Sequence, residues 1–423
     1  MRNGWRVTGV RAATAGVAGA LAVLLGVTGC SGSESGSGSG GGGDGPRVVA
    51  DHSSALADQA VRISVRGLKA HAKVTVTSRA DDRKGQPWGT ERQFTADGRG
   101  TVRLGARGME LLSGMEPLAG PQRKLRGSGK AFSFHPATPD KRASYTVRLS
   151  VRAGGSSGSG GKAVARTDLT RRWLNEDSGH RKLTVARDKV DGELYTPPEG
   201  AAKKAPVLVF GGSEGGNAGE YAAALLAAHG HPALSLCYFR CGDGSGRPDA
   251  IDMIDLDYFT RAAKLLGRQP GADPERLAVM GNSRGSEAAQ LLGQRRPSVV
   301  RDVIAYAPSS KVIGPYPTGR AAWADGGKPV PVGPVPLDRV RGTVLAVAGG
   351  NDKMWGSAAS AKEIASRGGH RLTYAGAGHH VNWFPYGQPG EDGGADGATR
   401  ATSRADQRAR EAAWPRVLHL LTN

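Results

Sequence analysis

Residues 279–288 read VMGNSRGSEA and place Ser283 between two glycines, after an apolar stretch and before a helix-forming one. The segment from Gly281 to Gly285 has the pattern Gly-any-Ser-any-Gly of a nucleophile elbow, in which a strand turns sharply into a helix. Glycines beside the serine avoid side-chain clashes in so tight a turn, which raises the hydroxyl to the carboxyl edge of the sheet. We therefore interpret Ser283 as a nucleophile, with an ordinary turn serine as the alternative.

The residues around this elbow predict a mostly parallel sheet. Apolar segments alternate with helix-length segments through the second half of the chain, which is typical of a parallel sheet covered by helices on both faces. The predicted strands are PVLVFGG, PALSLCYF, RLAVMGN, VVRDVIAYAP, GTVLAVAGG and RLTYAGAG, and the predicted helices include EYAAALLAAHG, IDLDYFTRAAKLLG, SEAAQLLGQR and the closing ADQRAREAAWPRVLHLL. A predicted hairpin, RKLTVARDKVDGELYTP, precedes them. We assign this domain to residues 167–423.

The first half of the chain shows a different periodicity. Segments such as AVRISVRG, HAKVTVTSR, RQFTAD, GTVRL and SYTVRLSVRAG alternate apolar with polar residues between Gly, Asp and Pro turns. Short strands at this spacing predict an antiparallel β-sandwich over residues 46–166. This domain shows no clustered acids, bases or metal ligands, so we expect it to serve packing and substrate enclosure.

A serine nucleophile needs a base to take its proton and an acid to orient that base. Asp352, in GGNDKMWGS, and His379, after RLTYAGAG, both follow predicted parallel strands, and the carboxyl ends of such strands are where these sheets assemble sites. We predict a catalytic triad of Ser283, Asp352 and His379. A turn or helix-cap role is the alternative for Asp352, and His380 is the alternative base.

The same edge must supply donors for a tetrahedral oxyanion. The backbone amide of Arg284, at the start of the predicted helix, is one candidate. The glycine-rich turn in VLVFGGSEGG offers the amides of Gly212, Ser213 and Glu214, among which we favour Ser213. This turn lacks the Lys-Ser/Thr pair of a phosphate loop, and no metal or organic cofactor is indicated.

The N-terminus indicates export. Three arginines precede AATAGVAGALAVLLGV and then VTGC, which resembles a bacterial lipobox ending in Cys30. The apolar run of 16 residues is shorter than the about 20 that span a bilayer. We predict a signal peptide over residues 1–29, lipidation of Cys30 and a Gly/Ser tether over residues 30–45, which would anchor the protein to the outer face of the cell membrane. An uncleaved anchor helix is the alternative.

Charge and the remaining cysteines bear on partners and compartment. Removing residues 1–29 takes away three arginines and no acid, so the net charge falls from +19 to +16, which favours anionic surfaces and substrates. No nucleic-acid partner is predicted, because the basic residues are scattered and only 5% of residues are aromatic. Cys237 and Cys241 could form a disulfide if a turn brings them together, since four residues of strand span roughly 13 Å; two free thiols are the alternative.

Over almost everything after the tether, the chain resembles the acyl-CoA thioester hydrolase and bile acid-CoA:amino acid N-acyltransferase (BAAT) family. The motifs that carry this resemblance are GLKAHAKVTVTSRADDRKGQPW, FTADGRGTVRL and GMEPLAG in the first domain, and GELYTPPEG, VLVFGGSEGGNAGEYAAALLAAHGHPALSLCYF, IDLDYF, GNSRGSEAAQLLG, GGNDKMWGS and YAGAGHHV in the second. The resemblance implies an α/β-hydrolase behind a β-sandwich, with Ser283, Asp352 and His379 as the triad. A serine nucleophile, rather than a cysteine, favours hydrolysis over conjugation.

The predicted activity is therefore hydrolysis of an acyl thioester through an acyl-enzyme. Because an exported protein meets little cytoplasmic acyl-CoA, a surface carboxylesterase or acyltransferase acting on lipid or envelope esters stays open as an alternative. A lipoprotein that only binds acyl ligands is the alternative outside the enzymes. The span from Ala307 to Val340, hereafter the proline-rich span, is either a cap over the acyl pocket or a surface excursion. The sequence leaves the oligomeric state open.

Overall fold

The structure is a computed structural model. It describes residues 45–120, 123–124, 134–154, 162–382, 384–386 and 399–423. The predicted signal peptide, Cys30 and all but the last residue of the predicted tether lie outside the described residues. No helix among the described residues has both the length and the apolar character needed to cross a membrane.

The N-terminal region contains two sheets whose strands alternate buried and exposed side chains. The first strands are β1 (Arg47–Ala50), β2 (Ser54–Leu56), β3 (Ile63–Arg66), β4 (Lys73–Asp81), β5 (Pro87–Thr95) and β6 (Val102–Arg103), and helix α1 (Ala106–Ser113), β7 (Glu116–Pro117), β8 (Ser144–Ala153) and β9 (Ala163–Arg172) follow. One sheet has the order β1-β3-β6 and the other β2-β9-β8-β4-β5-β7. All pairs are antiparallel except β2 with β9, which are parallel.

Strand β9 runs from Ala163 to Arg172 and so crosses residue 166, where the sequence placed the boundary between the domains. The assignment of residues 46–166 and 167–423 to separate domains stays a prediction, because residues 44–423 pack as one compact unit.

The second sheet has eight strands and carries the predicted elbow. Its members are β10 (Gly179–Leu183), β11 (Asp191–Thr196), β12 (Val207–Phe210), β13 (Ala233–Cys237), β15 (Ala278–Asn282), β16 (Asp302–Tyr306), β21 (Val344–Gly349) and β22 (His370–Tyr374). The order is β10-β11-β13-β12-β15-β16-β21-β22, with β11 antiparallel to both neighbours and every later pair parallel. The predicted α/β-hydrolase fold behind an antiparallel β-region is confirmed.

Helices cover both faces of this sheet. They are the short α2 (Val185–Asp188), α3 (Glu220–Ala228), α4 (Leu256–Leu266), α5 (Arg284–Arg295), α6 (Ser357–Ser366) and α7 (Arg400–Thr422), with a 3-10 turn at Pro274–Arg276. Because side chains alternate along a strand, Val207 and Val209 of β12 pack with α3 and α7, while Leu208 and Phe210 pack with α4, α5 and α6. The central strands β12, β13, β16 and β21 are buried along their whole length, which is why their residues are mostly apolar.

The proline-rich span folds into short strands. These are β17 (Lys311–Val312), β18 (Trp323–Asp325), β19 (Lys328–Pro329) and β20 (Gly333–Pro334), and β18 pairs with β14 (Ile254–Asp255). Trp323 is fully buried and donates its indole N–H to Glu287 of α5 at 3.0 Å. Glu287 also accepts the amide of Ile313 at 3.1 Å, and the Arg284 guanidinium donates to the Gly314 carbonyl at 2.6 Å. The span is therefore anchored to the helix that begins at the elbow.

Candidate active site

The turn at Ser283 has the strained geometry of a nucleophile elbow. Ser283 joins β15 to α5 with φ 53° and ψ −121°, in a region that residues with a side chain rarely adopt. A Cβ on Gly281 would collide with the carbonyl oxygen of Gly285, and a Cβ on Gly285 with that of Gly211. The Ser283 amide donates to the Tyr306 carbonyl at 2.9 Å, which fixes the turn to the neighbouring strand. Both glycines are thus required by close backbone approach.

Asp352 and His379 form a buried pair at the same edge of the sheet. Nδ1 of His379 lies 2.8 Å from Oδ2 of Asp352, and their side chains are 6% and 1% exposed. Burial opposes ionisation of Asp352, but the hydrogen bonds from His379 and from the Met354 amide outweigh it and lower the pKa of this carboxyl. The carboxylate therefore stays charged, orients the imidazole and leaves Nε2, on the other side of the ring, as the nitrogen that can accept a proton.

The Trp355 ring packs edge-on against His379, with centroids 5.8 Å apart, and its indole N–H donates to the Ala307 carbonyl at 3.0 Å. This contact adds a second restraint on the imidazole. Among the hydrogen bonds of the described residues, none joins the Ser283 hydroxyl to His379. Such bonds often tighten only when substrate binds.

Both predicted oxyanion donors are available. Arg284 is the first residue of α5, where helix amides have no acceptor inside the helix. Within the described part of the chain, neither the Arg284 amide nor the Ser213 amide donates a hydrogen bond to another group. The predicted role of these two amides stays a prediction.

Two side chains that the sequence did not single out lie at the glycine-rich turn. We call residues 211–216 the oxyanion loop. The Tyr238 hydroxyl, just beyond β13, lies 3.1 Å from the carbonyl oxygens of both Gly211 and Gly212. The Glu214 carboxyl folds back over the loop, where one oxygen lies 3.0 Å from the place that a Cβ on Gly212 would take. The only sequence signals were a tyrosine directly after a strand and the sole ionisable residue in GGSEGG.

Glu214 connects the elbow with the histidine. The Cβ of Ser283 lies 2.6 Å from that same position on Gly212, so Glu214 and Ser283 are neighbours across this glycine. Burial raises the pKa of Glu214, whereas the amides of Gly212 and Glu214 and the charges of His379 and His380 lower it. The Glu214 side chain is nevertheless exposed to solvent. Ser283, Glu214 and His379 thus belong to one site.

Cys237 and Cys241, for which the sequence left a disulfide and two free thiols open, are paired in the structure. Cys237 and Cys241 form a disulfide with their Cα atoms 5.7 Å apart. Arg240, with φ 48°, supplies the turn that an extended segment lacks. Asp191 lies close to both sulfur atoms, but sulfur atoms joined in a disulfide are not thiolate ligands, so this group does not form a metal site.

With this geometry in place, the chain can be compared with known proteins. Residues 58–184 match the family described as acyl-CoA thioester hydrolase/BAAT N-terminal region. This match and the curated relatives support the acyl-CoA thioester hydrolase/BAAT family. The chain is 26% identical over 375 residues to the mouse (Mus musculus) peroxisomal succinyl-coenzyme A thioesterase, covering 78% of this chain and 84% of the relative.

A second mouse relative, acyl-coenzyme A thioesterase 6, is 30% identical over 240 residues, covering 54% of this chain and 53% of the relative, so the match spans about half of that protein. Among solved structures, a putative dienelactone hydrolase from Klebsiella pneumoniae has 16% identity and a TM-score of 0.40, covering 58% of this chain and 98% of that one. The carboxylesterase EstE1, from a metagenomic library, has 16% identity and a TM-score of 0.38, covering 59% and 90%. The assignment of this chain to the α/β-hydrolases depends on its own strand order rather than on these likenesses.

Proposed function

We propose that the protein is a serine hydrolase that cleaves an acyl thioester through Ser283, His379 and Asp352. The observation that carries the proposal is the buried His379–Asp352 hydrogen bond, at the edge of the sheet where the elbow presents Ser283. The names of the relatives, which are coenzyme A thioesterases, support a thioester as the substrate class.

The proposed reaction has two halves. His379 accepts the Ser283 proton as Oγ bonds to the acyl carbon, and the amides of Ser213 and Arg284 stabilise the oxyanion. The carbon–sulfur bond then breaks, the thiol leaves with the proton from His379, and the acyl group remains on Ser283. A water molecule, deprotonated by His379, attacks this ester and releases the acid, and Ser283 regains its proton. Asp352 keeps the imidazole in the required tautomer throughout.

A fluorophosphonate probe tests the nucleophile. Wild-type protein should be labelled and Ser283→Ala should not. Ser286→Ala is the matched control, because Ser286 is a buried serine of the same helix whose hydroxyl accepts the Ser309 amide at 3.2 Å; it should be labelled like wild type. Absence of labelling in wild type, or labelling of Ser283→Ala, would contradict the mechanism and favour a protein that only binds acyl ligands.

The leaving group is tested with matched substrates. Thiol release from acyl-CoA and from a short thiol ester should be compared with turnover of oxygen esters that carry the same acyl chain. A higher kcat/KM for the thioesters is expected, because a thiolate leaves without full protonation. The opposite order would identify the protein as a carboxylesterase acting on lipid or envelope esters.

We further propose that the protein is exported and held at the outer membrane face by a lipid on Cys30. The support is the lipobox-like VTGC and the Cys237–Cys241 disulfide, which is typical of oxidising compartments. Membrane fractionation and labelling with an alkynyl fatty acid should detect the wild-type chain, and Cys30→Ala should lose both signals. A wild-type protein recovered without lipid in the soluble fraction would contradict the anchor.

A further inference from the structure

The oxyanion loop is held from one side by Tyr238. Its hydroxyl lies 3.1 Å from the carbonyl oxygens of both Gly211 and Gly212, and the side chain is 2% exposed. Burial keeps the pKa of Tyr238 far above its usual range, so the hydroxyl retains its proton and can donate it to these carbonyls. Two consecutive peptide groups therefore share one anchor.

This anchor determines where the loop amides point. In a trans peptide the C=O and N–H of one unit point in opposite directions. Because the carbonyls of Gly211 and Gly212 face Tyr238, the N–H groups of Gly212 and Ser213, which belong to the same two peptide units, face away from it. The Ser213 amide therefore has its orientation set by the carbonyl of Gly212.

Glu214 holds the opposite side of the loop. One of its carboxyl oxygens lies 3.0 Å from the place that a Cβ on Gly212 would take, next to Ser283 across this glycine. The Gly212 amide lowers the pKa of Glu214, as an N–H beside a carboxylate does. The Ser213 amide donates to no acceptor among the described residues. Glycine peptides rotate easily, so without both restraints a carbonyl could turn toward the site and repel an oxyanion.

We propose that Tyr238 and Glu214 are positioning residues that clamp the oxyanion loop and present the Ser213 amide to the substrate oxygen. This inference rests on the proposed function, because it assigns a purpose to the loop in the same acyl-transfer step. Tyr238 acts only through the loop carbonyls, whereas Glu214 acts through the amide of Gly212.

Tyr238→Phe removes the hydroxyl and leaves the ring packing in place. We expect kcat to fall about 10- to 100-fold, less than loss of a direct oxyanion donor, with KM changed less than about twofold. Inhibition by a trifluoromethyl ketone, which forms a tetrahedral oxyanion on Ser283, should weaken by the same factor. Binding of the corresponding non-reactive methyl ether should be unchanged.

Tyr258→Phe is the matched control. The Tyr258 hydroxyl is also buried and also bonds two backbone groups, the Cys237 carbonyl and the Asp191 amide, each at 2.8 Å, but it does not contact the oxyanion loop. Its kcat and ketone inhibition should stay within about twofold of wild type, a difference below 0.5 kcal/mol. Equal kinetic losses in the two variants would overturn the assignment of Tyr238.

Glu214 is tested by loss and rescue. Glu214→Ala should lower kcat about 5- to 10-fold, and Glu214→Gln, which retains an acceptor oxygen, should recover most of that loss. The double variant with Tyr238→Phe should lose less than the product of the single losses, because both act on one loop. Equal rates in the alanine and glutamine variants, or strictly multiplicative losses, would overturn the clamp. If wild type neither hydrolyses thioesters nor reacts with a fluorophosphonate, the proposed function fails instead.

Discussion

Two buried aspartates among the described residues each hydrogen-bond a histidine, one in the site and one where the N-terminal region meets the hydrolase sheet. Asp352 meets His379 at 2.8 Å, and Asp58 meets His229 at 2.6 Å; the two carboxylates are 1% and 2% exposed. Burial of the carboxylate, distance and chemistry are therefore nearly the same in the two pairs, although His229 is 27% exposed and His379 only 6%. An aspartate–histidine bond alone does not identify a catalytic residue.

The two aspartates differ in the second group that donates a hydrogen bond to each carboxylate. Asp58 also accepts the indole N–H of Trp414 in α7 at 2.7 Å, so it ties the N-terminal region to two helices of the hydrolase fold. Asp352 instead accepts the Met354 amide within its own turn, which leaves His379 to face Glu214 and the elbow. One carboxylate joins two parts of the structure, whereas the other orients a base.

Asp352→Asn should have the largest effect on activity. An amide in place of the carboxylate favours the wrong imidazole tautomer, and we expect kcat/KM to fall about a thousand- to ten-thousand-fold. The melting temperature should change by only a few degrees, because the amide retains an acceptor oxygen. Thioester turnover and a thermal melt on the same preparation measure both.

Asp302→Asn is the control for this variant. Asp302 is a buried aspartate of the same sheet, but it begins β16 and accepts the Thr343 amide at 2.6 Å, away from the carboxyl edge. Its kcat/KM should equal that of wild type. A similar loss of activity in both variants would mean that any buried carboxylate of the sheet is needed, and would remove the special role of Asp352.

Asp58→Asn should have the opposite effect to Asp352→Asn, with a loss of stability and little change in activity. Losing a charged acceptor shared by His229 and Trp414 should lower the free energy of unfolding by about 3 kcal/mol. The kcat of the folded protein should stay within about twofold of wild type, because Asp58 contacts no group of the site. Urea unfolding and turnover at a temperature where the variant is folded measure these effects. A loss of kcat without a loss of stability would contradict this division of roles.

The sequence predicted that Asp352 and His379 would lie at one edge of the sheet, because their positions relative to the strands were readable. Asp352 and His379 each follow an apolar strand, and parallel strands deliver such residues to one edge. The alternation of strands and helices likewise predicted a mostly parallel sheet and its covering helices. Asp58 and His229 follow no such pattern, since a helix end and a turn in distant segments meet only through packing between the two regions.

Tyr238 and Glu214 escaped sequence analysis for another reason. Their roles depend on which way a peptide plane faces in the oxyanion loop, and backbone dihedral angles at glycines are not encoded by neighbouring letters. The pairing of Cys237 with Cys241 similarly depended on the left-handed turn at Arg240, a conformation that residues other than glycine seldom adopt. Elements were predictable, whereas the orientations within loops were not.

Glu220 is another buried acid, and its hydrogen-bond partners are an amide and a hydroxyl rather than a histidine. It lies where the N-terminal region meets the hydrolase sheet. It begins α3, accepts the Asp140 amide and the Tyr195 hydroxyl, each at 3.0 Å, and lies near Lys141, which pairs with Asp140. Burial, reinforced by Asp140, raises the pKa of Glu220 to about 8 from an ordinary value of 4.5. In the folded protein Glu220 holds a proton that the unfolded chain releases between these values, so its contribution to stability is lost as pH rises from about 4.5 to 8.

Glu220→Gln imitates the protonated acid, but its stability does not fall as pH rises, because the amide does not ionise. The free energy of unfolding of the variant, relative to wild type, should therefore rise by about 3 kcal/mol between pH 5 and pH 8. Urea unfolding at both pH values measures the change, and Glu275→Gln, at an exposed side chain, should give a constant difference. Parallel pH dependence in Glu220→Gln and wild type would mean that Glu220 is ionised in the folded protein. Turnover should be unchanged in either case, since Glu220, like Asp58, has structural partners only.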